Sequence, residues 1–223
     1  LFADNSISIS AYNHGILRKM SLYPSEGLWE FIVEEQLLDP TIYNNLFVKT
    51  LLFHDTLSFA AVLKDPRVNP SFEGNLAIST ASRTGNHHLV RLLLKDPRVD
   101  PSFDNNRTII DACKNGFLEV VALLLADERV EPSARDSLAL RYAASRGHTT
   151  VVKLLIEDKR SNPAARNNSA LMSAAYRGNE KLVELLISDE RVVASSHKTN
   201  ALKVARERGF TRVTNILLKY HFD

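Results

Sequence analysis

Cysteine is nearly absent: Cys113 stands alone among 223 residues. A single thiol excludes an internal disulfide. It sits in a column of small residues, so it reads as a buried apolar side chain and not as a reactive group. Long apolar runs are missing too. None approaches the ~18–20 residues that a membrane-spanning helix needs, so no membrane partner is expected. Charge of one sign is scarce. The formal net charge is +2, too near neutral to imply a nucleic-acid or lipid partner by itself. The patterns that carry chemistry are also lacking: the chain has no phosphate-binding glycine loop, no Cys/His ligand spacing and no nucleophile elbow. His87 and His88 are adjacent, and on a helix their rings diverge by about 100°, a poor chelate. No catalytic residue, cofactor or metal site is expected.

What the chain has instead is a period. Asp65, Asp96, Asp127, Asp158 and Asp189 each open a copy, at a constant step of 31 residues. A fixed period of this size marks a stacked repeat protein. Arg follows each Asp two residues on, from Arg67 to Arg191. Ala81, Ala112, Ala143, Ala174 and Ala205 share one column, and Gly85, Gly116, Gly147, Gly178 and Gly209 another. An aliphatic triplet such as Leu123–Leu125 ends every copy. With 44% hydrophobic and 24% charged residues, the chain has enough apolar side chain to fill a continuous core.

Each copy reads as two short helices. Asn75, Asn106, Ser137, Asn168 and Thr199 stand just before an apolar-periodic run and are good N-cap types. The recurring Gly suits the left-handed position that ends a helix. The predicted pairs are 76–84/87–95, 107–115/118–126, 138–146/149–157, 169–177/180–188 and 200–208/211–219. Each Pro of the Asp-Pro-Arg-Val-Asp-Pro-Ser type of link keeps the residue before it out of the helical region, so the link should be extended and rich in turns. Its Asp should cap the following turn. Its Arg should meet a carboxylate or carbonyl of the same or the next copy.

The line Ser169-Ala-Leu-Met-Ser-Ala-Ala-Tyr-Arg-Gly-Asn179, followed by Lys181-Leu-Val-Glu-Leu-Leu-Ile187, resembles the ankyrin repeat family, as does Ala143-Ala-Ser-Arg-Gly-His148. The family pattern is T-P-L-H-x-A-A-x-x-G-H and a Leu/Val-rich second helix. Two departures stand out. The family Pro is Ala or Thr here (Ala77, Thr108, Ala139, Ala170, Ala201), and each copy is about two residues short of the family's repeat of about 33. The shortening falls in the connecting segment, so short loops should replace the usual β-hairpin fingers. The resemblance implies an all-α, ankyrin-type helical repeat solenoid. It also implies a non-enzymatic scaffold that binds a protein or peptide on its concave face. At that face it places the tip residues Phe72, Glu73, Phe103, Asp104, Arg135 and Arg166, and Arg146, Tyr176 and Arg177 on the first helices. Aromatics and Arg are common anchors of interfaces. His148, at the Gly-His position, is structural by the same resemblance.

Domain boundaries follow. Residues 1–38 form an N-terminal arm and a capping helix around Trp29. Residues 39–64 are a degenerate repeat in which His54 replaces the Gly, and residues 65–223 hold five ankyrin-like copies, all in one continuous domain expected to be monomeric. The last copy drifts: Ala194 replaces the link Pro and Arg206 the second small residue, as a polar C-terminal cap requires. The chain starts at Leu1, not Met, which reads as a processed product. The cytoplasm or nucleus is the expected compartment, with secretion into a host cell as an adaptor or effector as the alternative. Asn106-Arg-Thr108 and Asn167-Asn-Ser169 have the form of glycosylation sequons. Charge is uneven. Residues 158–223 carry 12 Lys/Arg against 7 Asp/Glu, and residues 1–64 carry 4 against 7. A polyanion or nucleic-acid binder using the basic C-terminal half is therefore the alternative function.

Overall fold

The computed structural model describes Leu63, residues 68–194 and residues 199–220. The expected N-terminal arm, the capping helix around Trp29, nearly all of the degenerate repeat, and Asp65 and Arg67 lie outside the described residues. Eleven helices and no strand occur among the described residues. They are α1 Phe72–Thr84, α2 His87–Leu93, α3 Phe103–Asn115, α4 Leu118–Leu125, α5 Ala134–Arg146, α6 Thr149–Glu157, α7 Ala165–Arg177, α8 Glu180–Ile187, α9 Glu190–Val193, α10 Thr199–Glu207 and α11 Thr211–Lys219. The chain divides into two compact units. The first runs to Ala81 and includes His88–Asp100; the second comprises Ser82–His87 and everything from Pro101 onward.

In the second unit, α3, α5, α7 and α10 stack in chain order, and each packs on the helix that follows it, namely α4, α6, α8 and α11. The close approach follows from side-chain size. Ala112, Ala143, Ala174 and Ala205 are fully buried, as are Cys113, Ala144 and Ala175 beside them. The second helices supply the bulk: Val120, Val121 and Leu124, then Val151, Val152 and Leu155, then Leu182, Val183 and Leu186. Burying one such side chain contributes about 1.5–3 kcal/mol, so the repeated column, and not any local propensity, holds these short helices in place. In the first unit Ala77, Ile78 and Ala81 meet the same description, with Leu89, Val90 and Leu93 from α2.

The recurring Gly ends each first helix as expected. Gly116, Gly147 and Gly178 adopt φ of 79°, 81° and 68°. The next residue's N–H then closes the helix end: Phe117 N–H donates to the Ala112 carbonyl and His148 N–H to that of Ala143. The residue after Gly has a second task. A Cβ built on Gly116 would lie 2.6 Å from the His148 ring, one on Gly85 2.7 Å from Phe117, and one on Gly178 2.8 Å from Phe210. Each ring lies flat against the glycine of the preceding copy.

The N-cap expectation is corrected. Asn75, Asn106, Ser137 and Asn168 are buried and adopt the left-handed conformation. Each closes a left-handed turn of three residues: 73–75, 104–106, 135–137 and 166–168, with φ between 46° and 64° throughout. A bond from the last residue's N–H to the carbonyl four back spans each turn, as from Asn106 to Ser102 at 2.8 Å. The side chains reach into the next link instead of capping their own helix. Asn75 Oδ1 accepts from Asp100 N–H at 2.8 Å, Asn106 Oδ1 from Glu131 N–H at 2.7 Å, and Ser137 Oγ from Asn162 N–H at 2.8 Å. Asn and Ser satisfy both readings, because a short polar side chain that favours caps also tolerates the left-handed region.

The Asp-x-Arg pair is a staple. Arg98, Arg129, Arg160 and Arg191 form ion pairs of 2.6–2.8 Å with the Asp two residues before them. The same Asp accepts the Arg backbone N–H, as in Asp96 to Arg98 at 2.9 Å. The remaining guanidinium nitrogen crosses to the preceding copy: Arg98 donates to the Val68 carbonyl, Arg160 to that of Val130 and Arg191 to that of Ser161, at 2.9–3.0 Å. The carbonyl belongs to the preceding copy, 30 residues back, and not to the next.

Helix α9 was not foreseen. It forms where Ala194 replaces the link Pro, which frees Val193 to turn helical. Its cost is visible in Asn168. Val193 N–H bonds within the turn to Asp189, so Asn168 Oδ1 is left without a hydrogen-bond partner and only its amide is used, donating to the Val192 carbonyl at 3.2 Å.

Candidate functional site

The first helices turn one side to the core and the other to solvent. On the solvent side of the second unit, Phe103 is 45% exposed, Tyr142 36% and Tyr176 54%. These are large apolar groups that the fold does not use. Phe103 stands at the start of α3, immediately before its left-handed turn. Tyr176 lies at the end of α7, and Arg208 stacks over its ring, 4.1 Å from the centroid. Lys114 approaches Tyr142 at 5.5 Å, within the range of a cation–π contact.

The expected tip residues divide into two groups. Phe72 is half-buried and Glu73 exposed, both in the first unit. In the second unit the tip charges are tied to one another. Arg135 donates to the Asp104 carbonyl at 2.7 Å and to its carboxylate at 2.8 Å. Arg166 lies 3.6 Å from the Asp136 carboxylate, both well exposed. Such pairs contribute about 0–1 kcal/mol each. Arg135 and Arg166, expected at the partner-binding face, thus also bridge to the preceding copy. Arg141 adds to the frame, donating to the carbonyls of Asp136 and Arg135 at 3.0 and 3.1 Å.

At the other end of the first helices, the last carbonyls are also claimed by the next copy. Asn115 Nδ2 meets the Arg83 carbonyl at 3.3 Å, His148 Nε2 that of Lys114 at 3.2 Å, and Arg177 Nε that of Ser145 at 2.6 Å. The His148 contact requires the proton on Nε2. Because His148 fills that place, the exposed Arg146 is left over, with no ion pair or hydrogen bond of its side chain among the described residues.

Phe103, Tyr176, Arg177 and Arg208 were legible in the sequence as residues of this face, whereas Tyr142 and Phe210 were not. Tyr142 stands three residues before Ser145, one turn along the same helical face. Counting the exposed face at that spacing would have found it. Cys113 is fully buried, and burial pushes its thiol pKa up, which leaves it protonated and inert.

A family model for ankyrin repeats matches the chain three times, over residues 41–136, 112–196 and 140–223. The chain belongs to the ankyrin repeat family. Ankyrin repeats generally mediate protein–protein interaction and are typically non-enzymatic scaffolds. A search of curated proteins gave no match. No helix among the described residues is long and apolar enough to cross a membrane. No cluster of three or more metal-ligating side chains occurs among them.

Proposed function

We propose that this ankyrin repeat chain is a non-enzymatic adaptor that holds a protein or peptide partner on the concave-side positions of its repeats, the solvent face of the first helices and the loop tips. The observation that carries this reading is a contrast between columns. Positions facing the core repeat the same small or aliphatic residue, whereas the solvent face of the first helices changes from copy to copy and exposes Phe103, Tyr142 and Tyr176. A common frame with a varied, partly aromatic face is what a reader of protein surfaces requires.

Affinity capture with the full chain, followed by mass spectrometry, tests the reading. Phe103→Ala, Tyr142→Ala and Tyr176→Ala should each weaken capture of the same partner while melting near the parent temperature. Lys153→Glu, at an exposed position of α6, should leave capture intact. A partner lost with Lys153→Glu and kept by all three aromatic variants would move the binding surface to the second helices.

A further inference from the structure

Between α7 and α10 lies a groove of about 620 Å³. Met172, Tyr176 and Arg177 line one side, and Val204, Arg208 and Phe210 the other. The walls are firm. Phe210 is seated against Gly178, where a Cβ would come within 2.8 Å of its ring. Arg177 is anchored by its Nε to the Ser145 carbonyl at 2.6 Å, and Arg208 lies on Tyr176 at 4.1 Å.

The charge of the groove is one-sided. Two guanidiniums line it and no carboxylate does. Elsewhere Arg98, Arg107, Arg160 and Arg191 each hold a carboxylate of their own chain within 2.9 Å. Neither Arg177 nor Arg208 makes an ion pair among the described residues. The nearby acids are engaged by other cations: Glu207 with Lys203 at 4.0 Å and Glu180 with Arg212 at 3.6 Å. Both groove guanidiniums are held in place by contacts that leave outward N–H groups for a planar acceptor.

We propose that this groove seats an acidic peptide segment of the partner. An apolar or aromatic side chain enters between Met172, Val204 and Phe210, and flanking carboxylates take the free N–H groups of Arg177 and Arg208. The proposal rests on the reading that the first-helix face binds a protein. Apolar walls favour a side-chain anchor, and a basic peptide would meet two fixed cations. A nucleic acid fits less well: its phosphates would suit the guanidiniums, but Arg208 already covers a face of Tyr176 on which a base would stack.

The test is an amide-correlation NMR titration of the full chain. The probe is an equimolar pool of peptides Glu-Glu-X-X-Glu-Glu, with X drawn from Leu, Ile, Phe, Tyr and Trp. The expected shifts fall on Tyr176, Arg177, Arg208 and Phe210. They vanish with the matching Lys-flanked pool and in Arg177→Glu/Arg208→Glu. Should that double variant melt early, Arg208→Gln replaces it and should weaken the response at least severalfold. The proposal is overturned if the acidic pool moves none of these signals or if its shifts survive in the variants. It is equally overturned if the Lys-flanked pool or a single-stranded oligonucleotide moves the same signals as strongly. A captured partner that depends on Phe103 or Tyr142 while this titration stays silent removes the groove and leaves the wider reading in place. A partner insensitive to every first-helix variant removes the wider reading itself.

Discussion

Gly116 and Gly147 occupy the same place in successive copies and should still respond differently to the same change. Both need a left-handed backbone, which costs a residue with a Cβ about 1–2 kcal/mol. At Gly116 the added methyl also runs into the His148 ring at 2.6 Å, whereas at Gly147 the nearest atom is Asn179 Nδ2 at 3.7 Å. Overpacking of that kind adds about 1–3 kcal/mol. Chemical denaturation should therefore rank Gly116→Ala as clearly more damaging than Gly147→Ala. Equal losses would show that the ring shifts aside at no cost. The glycine column was legible in the sequence as a helix end. The stacking of Phe117, His148 and Phe210 on it was not, since it joins residues of neighbouring copies and leaves no local pattern.

At the scale of the element, the left-handed turn was the largest surprise. The sequence Asp104-Asn-Asn106 was legible as a cap because Asn serves caps and left-handed backbone alike. Only the 25-residue bond from Asn106 Oδ1 to Glu131 N–H separates the two. The turn makes a sharp prediction at Asn105, which is exposed and has φ of 52°. Asn105→Val should lose about 1–2 kcal/mol or more, because β-branching is least compatible with that region. Asn105→Gly should be close to neutral. If valine is tolerated as well as glycine in thermal melts, the left-handed turn is not the conformation in solution.

The Asp-x-Arg link belongs to this scale as well. A hydrogen bond from the Arg two residues on holds Asp96, Asp127 and Asp189 below the usual carboxylate range. Their folded pKa is depressed, so their contribution is full above the unfolded value near 3.9 and is lost as pH falls through the folded value. Stability should hold from neutral pH down to about pH 4 and then decline. Asp127→Asn/Asp189→Asn should start lower and decline less steeply over that acid range. A parallel decline in parent and variant would assign the acid sensitivity to other carboxylates.

For the whole molecule, the repeat period and the buried columns were legible, and the second helices fell within two residues of their expected bounds; α1, α3, α5 and α7 open four residues earlier than expected because a left-handed turn leads into each. Charge was legible in amount but not in use. Some of the cations after residue 158 are held in internal pairs, including Arg160 with Asp158, Arg191 with Asp189 and Arg212 with Glu180. Counting residues cannot tell a staple from a free cation. What remains for a partner is the aromatic exposure of the first helices, with Arg146, Arg177 and Arg208 beside it.

Hydroxyl-radical footprinting of the full chain, alone and with its captured partner, tests that claim most directly, because it reads the exposed side chains themselves. Phe103, Tyr142 and Tyr176 should lose reactivity on binding, while Tyr220, 41% exposed just beyond α11, should react unchanged as an internal control. Unaltered first-helix aromatics together with protection of Leu218 and Tyr220 would contradict the account and place the partner on the opposite side of the repeats.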